Sequence, residues 1–185
     1  MSHRKKAAVL LLGILVTIVL FLFFQALFMP KYMESMKEGA LIAEYDKDSL
    51  NHEVVFIGDC EVYENFSPVT LWENYGITSF IRGSASQTIW QSYYLLKDTL
   101  RKEKPEVVVF NVLSMQYDQA VSEAYNRMTL DGMEWSDVKV EAVKASMTEE
   151  ESMITYLLPF FRYHSRWSEL TKEDFRYLFR KNSIS

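Results

Sequence analysis

Residues 54–68 read VVFIGDCEVYENFSP. Val54 to Ile57 is a short apolar run rich in β-branched residues, the composition of a strand covered on both faces. It stops at Gly58-Asp59-Cys60, where glycine permits a tight turn and the only cysteine of the chain follows an acid. Two more short β-branched-rich runs lie downstream, ITSFIR at 77–82 and EVVVFN at 106–111, and the second of these is again nearly continuous apolar.

The segments between these runs have helical signals. SPVTLWENYG (67–76) places Ser67 at an N-cap, Pro68 at the first helical position and Gly76 at the end. SQTIWQSYYLLKDTLRKEKP (86–105) places Ser86 at an N-cap and puts Ile89, Tyr93, Leu96 and Leu100 on one face. It carries basic residues in its last turn and stops before Pro105. Trp90, Tyr93 and Tyr94 are assigned to packing between this helix and a sheet. The order strand, helix, strand, helix, strand, with crossovers long enough for parallel pairing, predicts an α/β fold over 53–115. The expected sheet is doubly wound and flavodoxin-like, with its site at the carboxyl ends of the strands.

After residue 112 the pattern turns helical. Residues 116–130 and 136–147 read as helices, and two later segments open with the capping pairs Thr148/Glu151 and Thr171/Asp174. No further strand is read. The sheet is therefore expected to be incomplete, with 116–185 as a helical insertion or the remainder of an interrupted domain.

Towards the N-terminus, residues 30–52 are polar and mixed in charge and read as a juxtamembrane stalk. AAVLLLGILVTIVLFLFFQALFM (7–29) carries no charge. It exceeds the roughly 20 residues that cross a bilayer as a helix, and HRKK precedes it. This pattern predicts an uncleaved signal anchor in the membrane, with a cytoplasmic tail at 1–6 and the rest of the chain extracytoplasmic. Beyond the anchor the chain holds 17 basic and 25 acidic residues, a balance that disfavours nucleic acid as a partner. One cysteine excludes an intramolecular disulfide framework, and with three histidines no Cys-rich or His-rich metal site is expected, nor any cofactor.

Three strand ends should meet at the top of such a sheet, bringing together Gly58-Asp59-Cys60, the loop Arg82-Gly83-Ser84-Ala85-Ser86, and Asn111. The thiol and backbone N–H of Cys60 would face a small, polar loop that leads into a helix N-terminus, an arrangement suited to an oxyanion. Arg82 is a candidate reader of phosphate or carboxylate at the mouth.

A strand ending in Gly-Asp-Cys, followed by FIRGSASQT after the second strand and a third apolar strand ending near the site, resembles the SGNH or GDSL-type esterase and acyltransferase superfamily. The membrane-anchored layout is similar to its bacterial envelope branch, which includes D-alanyl transfer proteins and polysaccharide O-acyl esterases. The resemblance implies that Cys60 stands in the nucleophile position and Asp59 in that of the preceding, structural acid. The oxyanion-loop position falls at Gly83 or Ser86, and Asn111 lies four positions before the family's third-block Asn. The family's Asp-x-x-His base has no counterpart, since no Asp in this chain has a His three residues later. His164, in FFRYHSRW, is the remaining candidate, whereas His52 reads as a solvated linker residue. Two functions follow as expectations. One is an extracytoplasmic acyl esterase or acyltransferase acting on cell-envelope glycopolymers. The other is a non-catalytic or truncated SGNH-like scaffold that binds an envelope glycan or a membrane acyltransferase.

Overall fold

The structure, a computed structural model, describes residues 2–31, 40–48, 51–117 and 119–179. It separates into two units. Residues Lys31 to Tyr156 form one, and the N-terminal helix with Leu157 to Phe179 forms the other.

The first unit is built on β1 (Val54–Gly58), whose last four residues are buried. It lies between β2 (Ser79–Gly83) and β3 (Val107–Phe110) in a parallel, three-stranded sheet of order β2-β1-β3. The register pairs Ile57 with Arg82 on one side and Phe110 on the other. Alternation along β1 feeds two cores. Val55 and Ile57 face Leu95, Leu130, Val138 and Val143, while Phe56 faces Val62 and Ile81. Helices therefore cover both faces, as in a doubly wound sheet. Among the described residues no strand lies outside β3, whose Val107 is half exposed.

The connections follow their caps. N-terminal to the sheet lies α2 (Leu41–Tyr45). After β1 come α3 (Cys60–Asn65) and α4 (Pro68–Tyr75); Ser67 Oγ accepts from Thr70 N–H, and α4 ends at Gly76 with φ 69°. That left-handed value is one that glycine adopts without strain. α5 (Ile89–Lys102) begins two residues later than read from the sequence. Thr88, not Ser86, is its N-cap, in a reciprocal capping box with Gln91. Its buried face also differs from the expected one. Gln91, Ser92, Leu95, Asp98 and Thr99 point inward, while Trp90, Tyr93 and Leu100 are about half exposed. Only Tyr94 and Leu96 keep the expected packing. The inward polar groups have buried partners to satisfy, and a buried polar group without a partner costs more than an apolar side chain left at the surface.

A 3-10 turn (Val112–Gln116) leads to α6 (Glu123–Leu130), α7 (Asp137–Ser146) and α8 (Met153–Leu157). Leu130, Val138, Ala142, Val143 and Tyr156 belong to the same core as β1, so residues up to 156 join the sheet instead of forming a separate helical region. Arg127 of α6 is fully buried and ties α8 down. Its guanidinium donates to the Thr155 carbonyl (3.2 Å) and Oγ1 (2.5 Å) and lies 3.6 Å from the Tyr156 ring centroid. The stalk expected at 30–52 falls partly outside the described residues. Its described part is integrated, since Ile42 and Tyr45 of α2 and also His52 are buried.

The second unit contains α1 (His3–Phe28), the one helix among the described residues long and apolar enough to cross a membrane. Its last two turns carry α9 (Phe160–Tyr163), a 3-10 turn (His164–Ser168) and α10 (Lys172–Phe179). The Thr171/Asp174 pair caps α10 as expected, with Thr171 N–H 2.9 Å from Asp174 Oδ2.

Candidate functional site

The carboxyl ends of β1, β2 and β3 bring together Gly58-Asp59-Cys60, Gly83 to Ser86, and Asn111. Asp59 is buried and is the N-cap of α3. Its Oδ1 accepts from the Glu61 backbone N–H (3.1 Å) and from Asn111 Nδ2 (3.0 Å). Asn111 Oδ1 in turn accepts from Leu113 N–H at 2.7 Å. The two side chains thus clamp the turn after β1 to the turn after β3. Their hydrogen-bonding capacity goes into the scaffold, with a charge-assisted bond at its centre.

Both glycines of the site make room for protein. A Cβ on Gly58 would lie 2.4 Å from Asn111 Cβ, and one on Gly83 would lie 2.5 Å from Val62 Cγ2 and 3.1 Å from the Gly58 carbonyl oxygen. Gly83, one of the two expected oxyanion-loop positions, lets α3 and the β1 turn approach β2. Ser86 is the only non-glycine described residue with positive φ, at 53°. A left-handed non-glycine residue costs on the order of 1–2 kcal/mol, and such conformations cluster at binding loops.

The loop is held from below by a buried polar network that sequence reading missed. Ser84 Oγ donates to Gln87 Oε1 (3.2 Å) and lies 2.5 Å from Thr129 Oγ1. Gln87 Nε2 donates to Ser92 Oγ (2.9 Å), and Gln91 Nε2 donates to Asn126 Oδ1 (2.5 Å). The available signal was the helical stripe Gln91, Leu95 and Asp98 with Ser92 and Thr99, polar except at Leu95.

Arg82 does not stand at the mouth. Pairing with Ile57 puts it on the α5 face, where it is fully buried. It donates to Asp98 Oδ2 (2.8 Å), Thr99 Oγ1 (2.8 Å) and the Leu95 carbonyl (3.0 Å), and its guanidinium lies 4.0 Å from the Tyr45 ring centroid. It is a structural cation.

Cys60 opens α3 and is partly exposed. Its partial burial, then the carboxylates of Asp59 and Glu64, push the thiol above its usual pKa; Glu61 adds to this, and a backbone hydrogen bond opposes it. The histidines lie elsewhere. His52 is at the amino end of β1. Its Nδ1 is 3.1 Å from Glu103 and its Nε2 is 3.5 Å from Asp48, in a polar cavity of about 270 Å³. His164 belongs to the unit of α1, where its Nδ1 is 3.2 Å from the Phe161 carbonyl oxygen. Among the described residues no three His, Cys, Asp or Glu side chains are placed to hold a metal ion. Comparison of the chain with protein-family models, curated proteins and solved structures returned no match.

Proposed function

We propose that the chain is a membrane-anchored, extracytoplasmic module with an SGNH-like strand-end site that binds an envelope glycan without turning over an acyl ester. α1 is the anchor in this reading, with the basic residues Arg4, Lys5 and Lys6 on the cytoplasmic side. The observation that carries the binding role is the setting of Cys60. Nucleophilic cysteines have depressed pKa values beside cations. This thiol is pushed up instead, with carboxylates at Asp59, Glu61 and Glu64 around it. A mouth of this charge suits neutral or amine-bearing sugars better than phosphate-rich polymers. The clamp between Asp59 and Asn111 and the strained Ser86 loop support a preorganised binding surface.

The test is incubation of the full chain in detergent with an activated acetyl ester, followed by intact mass spectrometry and a turnover assay. The proposal expects no acyl-thioester to accumulate and the same slow ester hydrolysis in the wild type and Cys60→Ala. An acyl adduct or turnover that disappears in Cys60→Ala would establish the enzyme in its place, with Cys60 as nucleophile.

A further inference from the structure

Residues 159–179 wrap the C-terminal end of α1. The Phe160 ring centroid lies 5.6 Å from that of Phe21 and 5.8 Å from that of Phe28, so this side chain lies along the last two turns of the apolar helix. Arg166 donates from a guanidinium nitrogen to the Phe28 carbonyl oxygen (2.5 Å), supplying a cation where helix carbonyls lack partners. Asp174 of α10 receives the same guanidinium at 3.3 Å, which fastens α10 to the end of α1.

Helix geometry gives the depth. At 1.5 Å per residue, the uncharged stretch from Ala7 to Phe28 is about 33 Å long, close to the roughly 30 Å of bilayer hydrocarbon. Phe21 lies about 10 Å from the Phe28 end on the same scale. Phe160 therefore lies within the outermost 10 Å or so of the apolar span, the depth at which interfacial helices bury their apolar side chains.

The outward residues have the composition of such a layer. Phe161, Trp167, Phe175 and Phe179 are all exposed, at 55%, 71%, 44% and 76%. Phe175 and Phe179 are four apart on α10 and share a face with Leu178. Arg162, Arg166, Lys172 and Arg176 supply four cations against Glu169, Glu173 and Asp174, whereas residues 31–156 are strongly acidic. Aromatic rings with flanking cations are the side chains that favour the headgroup layer.

We infer that residues 159–179 form an interfacial collar in which Phe161, Trp167, Phe175 and Phe179 enter the phospholipid layer around the emerging end of α1. The collar rests on the anchor reading of α1. It fixes the depth and rotation of the helix end and covers its final turns with protein and lipid together.

The experiment uses the full chain reconstituted into phosphatidylcholine vesicles with acyl chains brominated either near the headgroup or near the bilayer centre. Bromine quenches tryptophan on contact. Wild-type fluorescence is expected to be quenched more by the shallow bromines, and Trp167→Phe, an exposed position, is expected to lose most of that shallow quenching. Carbonate extraction of the same vesicles tests the anchor separately. A chain that stays in the membrane while Trp167→Phe quenches like the wild type refutes the collar and leaves the anchor standing. A chain released by carbonate overturns both.

Discussion

Asp98→Ala is expected to be the most damaging single truncation around the sheet. Arg82 is fully buried, and the Asp98 side chain is 5% exposed and 2.8 Å away. Removing the carboxylate leaves the guanidinium in the core with only the Leu95 carbonyl and Thr99 Oγ1, its Nε already without a partner. Breaking a buried pair in this way costs about 3–5 kcal/mol, much of a domain's whole stability. For a unit of this size the melting midpoint should fall by roughly 10–20 °C. Arg82→Met is the informative comparison. Asp98 keeps Lys102 Nζ at 3.2 Å, and the Leu95 carbonyl keeps the Thr99 hydroxyl at 2.9 Å, so neither is left bare. Methionine refills the space over Tyr45, and the cost should be about 1–2 kcal/mol. Thermal and urea unfolding followed by near-ultraviolet circular dichroism would measure both variants. If Asp98→Ala costs no more than Arg82→Met, the stranded-charge account is wrong.

Two further predictions concern titrating groups. Lys139 is 2% exposed, with Nζ 2.7 Å from the Met133 carbonyl oxygen and 4.6 Å from the Trp135 ring centroid. Burial pushes its pKa down to about 8, against the nearby carboxylates of Asp131 and Asp46. The unfolded chain therefore binds the extra proton between about pH 8 and pH 10.4, and the cost of burying the ammonium is fully present at pH 7 and fades as pH rises through that window. Lys139→Met should stabilise the fold by roughly 1–3 kcal/mol at pH 7, with the difference from wild type shrinking by pH 10 in parallel urea titrations. For Cys60, alkylation by iodoacetamide at pH 8 should be slower than for a free cysteine peptide, because its pKa is raised. Glu64→Gln removes one of the charges responsible and should speed the reaction about two- to fivefold; an unchanged or slower rate would contradict this cause.

The strands and their parallel pairing were legible because a strand covered on both faces needs an unbroken apolar run, which 54–57 provides; 107–110 reads the same way but lies at the sheet edge, with none of its residues fully buried. Ser67, Pro68 and Gly76 were equally readable, since caps act within four residues of sequence. The face of α5 was not. Apolar periodicity favoured Tyr93 and Leu100, but the helix turns to serve Arg82, which lies on a neighbouring strand, and Asn126 and Thr129, which lie on a later helix. Long-range polar partners have no local signature. The same holds at the site, where the Asp59 turn was readable but its clamp comes from Asn111, 52 residues on. His52 looked like a linker residue for the same reason, its partner Glu103 being 51 residues away.

The central position of β1 also sets a schedule for folding. The middle strand of the sheet is the first to be made. One edge pairs only with residues 25 positions later, as Glu53 with Thr78, and the other only after the chain reaches Val107 to Phe110. Until then VVFIG is an apolar strand with two open edges, and pairings this distant in sequence form slowly. During synthesis this segment, which later carries the site, is therefore the part of the sheet that most needs protection from other chains.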